Sequence, residues 1–327
     1  MFSGYGGAEF ALKKANIHFE CVGYSEIDKN AIKCYELNHP NIRNFGDCTK
    51  INTEELPDFD LLTGGFPCQD VSIAGNRDLS KGRTNLYSEI LRIAKAKKPR
   101  YMLLENVRGL LSMGKKNKAD DDLLINRIVR DLKEIGYGVC WDVLNSKDYG
   151  IPQNRERVWI VCKYGGWKFG EFEIPLKQKL SISLKDLLEK DVDVKYNMSE
   201  KALKLIKERI GTNYACKFNP EITNTLRTNY SNSFSNETYI IQRGRGKNKG
   251  GRKELCPTIS SNNFEHNNHI YDQGMFRRLT PKECFRLMGF VKDEIKTDGI
   301  SDSALYKLAG NGWEINVVSL ILKQMFK

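Results

Sequence analysis

No apolar run in this chain of 327 residues approaches the ~18 residues that a membrane-spanning helix needs. No basic stretch followed by an apolar core opens it, so no secretion signal is expected. None of the nine cysteines (21, 34, 48, 68, 140, 162, 216, 256 and 284) stand as a C-x-x-C pair, and their number is odd. That pattern argues against a disulfide framework and predicts free thiols in a reducing, cytoplasmic setting. Histidine is scarce: there are four, at 18, 39, 266 and 269. His266 and His269 form H-x-x-H, but the nearest cysteine is ten residues away, so no metal site is expected. None of the four is near Cys68 in sequence, which counts against a generic thiol enzyme such as a protease or phosphatase.

Acidic residues are also in short supply. Asp plus Glu total 41 against 52 Lys plus Arg, a formal net charge of +11. That excess fits a polyanionic partner, and equally a soluble protein of Lys-rich composition. With 40% hydrophobic residues, the chain has enough apolar material for one large domain and a smaller one.

Residues 1–165 alternate strand-like apolar runs with amphipathic segments. The patterning predicts strands at Phe19 to Ser25, Phe59 to Thr63, Tyr101 to Glu105, Val139 to Leu144 and Val158 to Lys163. Helices are predicted between them, at Ala8 to Ala15, Lys29 to Asn38, Asn85 to Lys97 and Asp121 to Ile135. This alternation predicts an α/β fold with a doubly wound, mostly parallel sheet. From about residue 166 the alternation is lost. Residues 211–270 are rich in Asn, Thr, Ser, Gly and Tyr, with two weakly similar stretches at 223–229 and 257–262 and a Gly- and Lys-rich segment at 243–252. They form either a loop-rich second domain or a partly disordered insert. After Gly274, a capped helix is predicted, with Thr280 as N-cap, Pro281 at the first helical position and Glu283 completing a capping box. Ile315 to Phe326 completes the chain as an amphipathic helix.

Several residue groups carry chemistry. Cys68 follows the apolar run Phe59 to Thr63, so its thiol lies on a loop at the end of a predicted strand, where α/β proteins place their reactive groups. A thiolate is strongly nucleophilic even when a few per cent ionised. Phe2-Ser-Gly-Tyr-Gly-Gly7 leads directly into a helix, so its backbone N–H groups can approach a ligand. Glu26 ends the next predicted strand, 19 residues after Gly7, where an acid binds ribose hydroxyls. Asp47 lies where a third strand should end and suits the N6 amine of adenine. Glycine loop and both acids in this order point to an adenosyl cofactor; taken singly, each is equally a turn glycine or a surface acid. Glu105 ends the strand beginning at Tyr101 and falls beside Cys68 if those strands are neighbours. Arg155 and Arg157 share a parity and face one side if a strand begins there. Structural ion pairs are the alternative for all three.

Together these segments resemble the DNA cytosine-C5 methyltransferase family, of bacterial or phage type. F-x-G-x-G-G appears at Phe2 to Gly7, P-C-Q-x-x-S at Pro67 to Ser72, and E-N-V at Glu105 to Val107. Q-x-R-x-R appears at Gln153 to Arg157, R-x-L-T-x-x-E at Arg277 to Glu283, and G-N at Gly310-Asn311. Six ordered matches cover most of the chain outside residues 166–270.

The resemblance implies an S-adenosylmethionine-dependent enzyme with a Rossmann-like domain at 1–190 plus 305–327. It implies a smaller, loop-rich target-recognition domain at 191–275 and a hinge segment at 276–304. Cys68 would be the nucleophile, Glu105 a proton donor with raised pKa, and Arg157 with Arg155 the cations that hold cytosine O2 and orient Glu105. S-adenosyl-L-methionine, leaving as S-adenosyl-L-homocysteine, would be held by Phe2, Ser3, Gly4, Gly6, Gly7, Glu26, Ile27, Asp47, Cys48, Pro67 and Asn311. Double-stranded DNA would meet Ser72 and Arg83 on a mobile loop at 69–84, and Arg227, Thr228 and Ser260 in the recognition domain. The target base would be flipped out. The resemblance also implies a monomer on DNA, no metal, and a restriction-modification or phage role with a possible cognate endonuclease.

Two departures stand out. The family carries a strand ahead of F-x-G, whereas only Met1 precedes Phe2; either the start is truncated or mis-assigned, or the sheet manages without that strand. Ser or Ala, then Val, often follows the family's G-N; here Gly312 and Trp313 do. Rival readings are the tRNA-methylating branch of the family, disfavoured by Ser72 and the long insert, and a catalytically silent DNA-binding paralogue, disfavoured by retention of Cys68, Glu105 and both arginines.

Overall fold

The computed structural model describes residues 1–67, 86–113, 123–198, 239–242, 251–261, 268–272 and 275–327. Its first half contains helices α1 (Gly7–Lys14) and α2 (Lys29–Asn38), strand β1 (Leu61–Gly65), helix α3 (Leu86–Lys97), strand β2 (Tyr101–Val107), helix α4 (Leu124–Glu134) and strand β3 (Tyr137–Asn145). The short β4 (Gln153–Asn154) and the long β5 (Glu156–Tyr164) follow. Strands β6 (Tyr239–Gln242), β7 (Gly251–Lys253), β8 (Cys256–Pro257), β9 (Asn268–Asp272) and β10 (Met275–Arg277) precede helices α5 (Pro281–Arg286), α6 (Asp302–Asn311) and α7 (Ile315–Met325).

The main sheet has the order β1-β2-β5-β3. β1 and β2 are parallel, joined by the crossover helix α3. β5 runs antiparallel to both β2 and β3, so the sheet is mixed. The physical reason lies in the connections. Between β3 and β5 there is only a 3-10 turn and β4, with no crossover helix to carry the chain back for a parallel pairing.

Alternate residues of the central strands enter two apolar clusters. Tyr101, Leu103, Trp159 and Val161 pack with α1, α6 and α7 on one face. Met102, Leu104, Val158 and Ile160 pack with α3 and α4 on the other. Burial on both faces explains why these strands are continuous apolar runs rather than alternating ones. In α3 the buried Tyr87, Ile90, Ile93 and Ala94 recur at helical spacing.

Phe19 to Ser25, predicted as a strand, forms only an isolated parallel bridge, Tyr24 to Asn44. Tyr24 bonds to residues 43–45 and Ser25 O accepts from Ser3 N at 3.3 Å, while the rest of the segment borders a cleft rather than a ladder.

A second, all-antiparallel sheet, β10-β9-β6-β7, comes from the loop-rich region. It joins the main body through the β4·β8 pair, in which Gln153 lies opposite Cys256. The predicted cap of α5 is present: Thr280 accepts from the Glu283 backbone while the Glu283 carboxylate accepts from the Thr280 backbone. Glu283 is fully buried and also receives two bonds from the buried Arg277, at 2.7 and 2.8 Å. R-x-L-T-x-x-E is therefore a structural motif.

Candidate active site

The β1·β2 register places Gly65 opposite Glu105, and the antiparallel β2·β5 register places Glu105 opposite Trp159 and Val107 opposite Arg157. Three strand ends thus converge. Arg157 Nε reaches Glu105 Oε1 at 2.8 Å, and both side chains are nearly buried. Burial holds the Glu105 carboxyl above its ordinary pKa, and the Arg157 and Arg155 guanidinium groups oppose that rise.

Gly65 leaves room for this arrangement. A Cβ there would lie 3.1 Å from Glu105 Oε2 and 3.0 Å from the Trp313 indole nitrogen. The strands predicted at Phe59 to Thr63 and Tyr101 to Glu105 are neighbours, as β1 (Leu61–Gly65) and β2, and the Glu105 carboxylate lies beside Gly65, three residues before Cys68. Cys68 itself lies outside the described residues, as do Ser72, Arg83, Arg227 and Thr228. Just past the end of β1, Phe66 O accepts from the buried Asn106 at 3.0 Å. Asn106 stood in the sequence pattern with no role attached to it; its partner is 40 residues away, so no local spacing discloses it.

The two arginines separate in function. Both border a cavity of about 10 Å³, one water in size, together with Glu105, Ser146, Trp159, Trp313 and Glu314. Only Arg157 pairs with Glu105. Arg155 is 3% exposed and donates to three carbonyls: Ile259 at 2.9 Å, Gly310 at 3.1 Å and Gly312 at 2.7 Å. It lies between β4 and β5, so strand parity does not apply to it. Burial, with the Arg157 charge alongside, pushes its guanidinium down to about 9. Gln153 acts similarly, donating to Leu287 O at 2.8 Å and accepting from Ile259 N at 3.4 Å.

The loop after α6 answers the second departure noted above. A Cβ on Gly312 would collide with the Tyr5 ring, and Tyr5 donates its hydroxyl to Trp313 O. Trp313 packs edge-on to Trp159 with ring centroids 5.1 Å apart, and a Cβ on Gly7 would lie 3.1 Å from its Cβ. Asn311, the last residue of α6, is exposed beside this contact.

The predicted cofactor residues gather along one edge. Phe2, Gly4 and Gly6 all take positive φ, turning the chain sharply into α1, with Gly6 as N-cap. The turn is closed by Gly6 N donating to Ser3 O at 2.9 Å. Glu26 accepts from Gly4 N at 3.0 Å, Ile27 N at 2.8 Å and Asp28 N at 3.0 Å. Asp47 caps the turn Cys48–Lys50, and two bonds from Thr49 hold its carboxyl below the usual range. Cys48 is buried, whereas Ile27 is 71% exposed. Asn44, which sequence analysis did not single out, braces the two acid loops. Its Oδ1 accepts from Glu26 N and Gly46 N, and its Nδ2 donates to Glu26 O. Two carboxylates and an exposed apolar side chain on adjoining loops suit a nucleoside, which offers hydroxyls, an amine and a ring face. Pro67 leads from Phe66 into the Cys68 loop, and Ser260 is exposed beside the tip of α6, where Gly310 meets the backbone of Ser260 and Ser261.

Residues 1–327 match the C-5 cytosine-specific DNA methylase family. The chain belongs to that family. It is 32% identical to the type II methyltransferase M.Bsp6I of Bacillus sp. (strain RFL6), over 100% of this chain and 97% of that one. It is 30% identical to the orphan methyltransferase M.SPRI of Bacillus phage SPR, over 99% and 96% respectively. Among solved structures, the Dnmt2 methyltransferase of S. pombe superposes with a TM-score of 0.66 at 21% identity, covering 99% of this chain and 96% of that one. The Entamoeba histolytica methyltransferase EhMeth gives 0.69 at 18% identity, with 99% and 96% coverage. This C-5 cytosine methylase is therefore an α/β methyltransferase that modifies DNA, and use of S-adenosylmethionine follows from its family. Among the described residues no helix is long and apolar enough to cross a membrane.

Proposed function

We propose that this enzyme methylates C5 of a cytosine flipped out of duplex DNA at a specific sequence, through a covalent bond between Cys68 and C6. The observation that carries this reading is the Glu105–Arg157 pair, nearly buried at the strand end that leads to Cys68. Cytosine C5 is a poor nucleophile. Addition of the Cys68 thiolate to C6 makes C5 enamine-like and pushes electron density toward N3 and O2. Glu105, whose pKa burial raises, delivers a proton to N3, while the fixed Arg157 cation faces O2. S-adenosylmethionine supplies the electrophilic methyl group when bound. Loss of the C5 proton to a base, cleavage of the Sγ–C6 bond and return of the N3 proton to Glu105 then restore the aromatic ring. Arg155 is assigned to shaping the pocket wall through its three carbonyl partners rather than to touching the base.

The cofactor assignment rests on chemistry of the donor set. Glu26 suits ribose hydroxyls, Asp47 the adenine amine, Ile27 a ring face, and the N-terminus of α1 an anionic group. We assign catalysis and cofactor binding to 1–190 plus 305–327, target recognition to 191–275, and the hinge to 276–304. Ser72, Arg83, Arg227, Thr228 and Ser260 are assigned to DNA. The basic excess suits phosphates. A monomer acting on DNA in the cytoplasm of a bacterial or phage-infected cell, in a restriction-modification or phage setting, completes the reading. A cognate endonuclease encoded elsewhere is compatible with it.

Labelled S-adenosylmethionine incubated with the enzyme and duplex DNA should leave label on cytosine, and Cys68→Ser should abolish transfer while sparing cofactor binding. Label appearing on tRNA alone would overturn the substrate assignment. Bisulfite sequencing of DNA from cells expressing the enzyme gives the target sequence directly.

A further inference from the structure

Glu314 borders the same small cavity as the acid pair, and the proposed reaction leaves it without a part. Glu105 and Arg157 enter the cavity from β2 and β5, Arg155 from the junction of β4 and β5, and Glu314 from the start of α7. Two carboxyls and two guanidinium groups thus share a space of about 10 Å³, the size of one water. Arg157 is bonded to Glu105. Arg155 acts on both carboxyls and draws each toward its ionised form.

Other elements also bring groups toward Glu314. α1 contributes Lys14, whose ammonium donates to Gly289 O at 3.2 Å, and Gly289 lies against Glu314 Oε1. The loop before α1 contributes Tyr5, whose hydroxyl burial keeps neutral. Backbone N–H groups of Asn316 and Val317, at 2.8 and 3.1 Å, and the N-terminus of α7 itself favour the Glu314 carboxylate. Burial opposes them and holds the carboxyl at about 7. Above neutral pH Glu314 is therefore largely ionised. A Glu105 that carries a proton in that range does so beside a negative charge, in surroundings too dry to screen it. Two carboxyls so placed titrate as a pair.

We infer that Glu314 is a positioning residue for the proposed reaction: its negative charge at the shared cavity keeps the proton on Glu105 until cytosine N3 takes it. The role rests on the reading of Glu105 as the acid. Ionised Glu314 balances Arg155, so that Arg155 does not strip the proton from Glu105. Without that charge both guanidinium groups act on Glu105 alone, and it ionises at lower pH. The direction is opposite to that expected from losing Arg157.

The test follows the Glu105 carboxyl by NMR in the unliganded enzyme, with isotope-labelled glutamate and the signal assigned by its loss in Glu105→Gln. In Glu314→Gln the Glu105 midpoint should fall by on the order of one pH unit, the effect of one unit charge a few ångströms away in a protein interior. The alkaline limb of methyl transfer should fall with it. Glu314→Asp keeps the charge and the capping oxygen, and should stay near the parent midpoint. An unchanged or raised midpoint in Glu314→Gln overturns the inference, as does an equal fall in Glu314→Asp, which would trace the effect to packing. A loss of stability alone moves neither the midpoint nor the limb. A midpoint that falls as expected in an enzyme that leaves no label on cytosine supports the coupling and overturns only the activity assigned above.

Discussion

Arg157 Nε stands 2.8 Å from Glu105 Oε1, across the strand ends of β5 and β2. Burial raises the pKa of Glu105 while the arginine pulls it back, so the pair sets the proton affinity of the acid. Removing that cation leaves the more distant Arg155 charge alone to oppose burial. In Arg157→Ala the pKa of Glu105 should rise further, so the alkaline limb of the activity profile moves to higher pH even as kcat falls. Glu105→Gln should lower kcat on the order of a hundredfold or more and erase that limb. A pH–rate series on the three proteins checks both outcomes.

Arg155 joins three segments distant in sequence by its bonds to Ile259, Gly310 and Gly312. Its loss strands three buried carbonyls, an effect of about 3 kcal/mol. Arg155→Lys cannot reproduce the planar fork and should recover only a minor part. Urea denaturation should therefore find both variants less stable than the parent. Neither should displace the alkaline limb as far as Arg157→Ala does, which separates a clamp from a cation at the base.

Tyr5 and Gly312 are complementary in volume, the ring filling the space of the missing Cβ. Gly312→Ser should destabilise by about 2 kcal/mol through overpacking. Combined with Tyr5→Val, which vacates that space, the loss should be smaller than the sum of the single losses. A double-mutant cycle on melting curves measures the coupling.

These cases mark what the sequence could and could not disclose. Glu105 and Arg157 were legible because each sits in a short motif at a strand end, where alternation and position set the direction of the side chain. The helices α3 and α5 were legible from apolar spacing and from the Thr280 to Glu283 box. The partners of Arg155 were not, because they are backbone carbonyls more than 100 residues away, and a carbonyl carries no residue identity. The Asn44 brace was hidden because its partners, though near in sequence, are also backbone groups, and the fit of Tyr5 to Gly312 because it joins the two ends of the chain. Phe19 to Ser25 has the composition of a strand, yet pairing is a property of neighbours, and its backbone bonds are limited to the Tyr24 bridge and the bond from Ser3 N to Ser25 O. The direction of β5 was set by its short connection to β3, a feature of topology rather than of its own residues.

Glu314 caps α7, accepting from Asn316 N at 2.8 Å and Val317 N at 3.1 Å, and is 2% exposed. Burial outweighs these bonds and pushes its carboxyl up to about 7. The native state therefore holds this proton more tightly than the unfolded chain, whose glutamates titrate near 4.3. Stability from this group is fully present below the unfolded pKa. It declines as pH rises through the window from about 4.5 to about 7, and levels off above. The total change is about 3 kcal/mol. Glu314→Gln keeps an oxygen acceptor for the two N–H groups and has no proton to lose. Urea denaturation at pH 5 and pH 8 should show the parent losing more stability than the variant over that interval, and equal losses would refute the assignment.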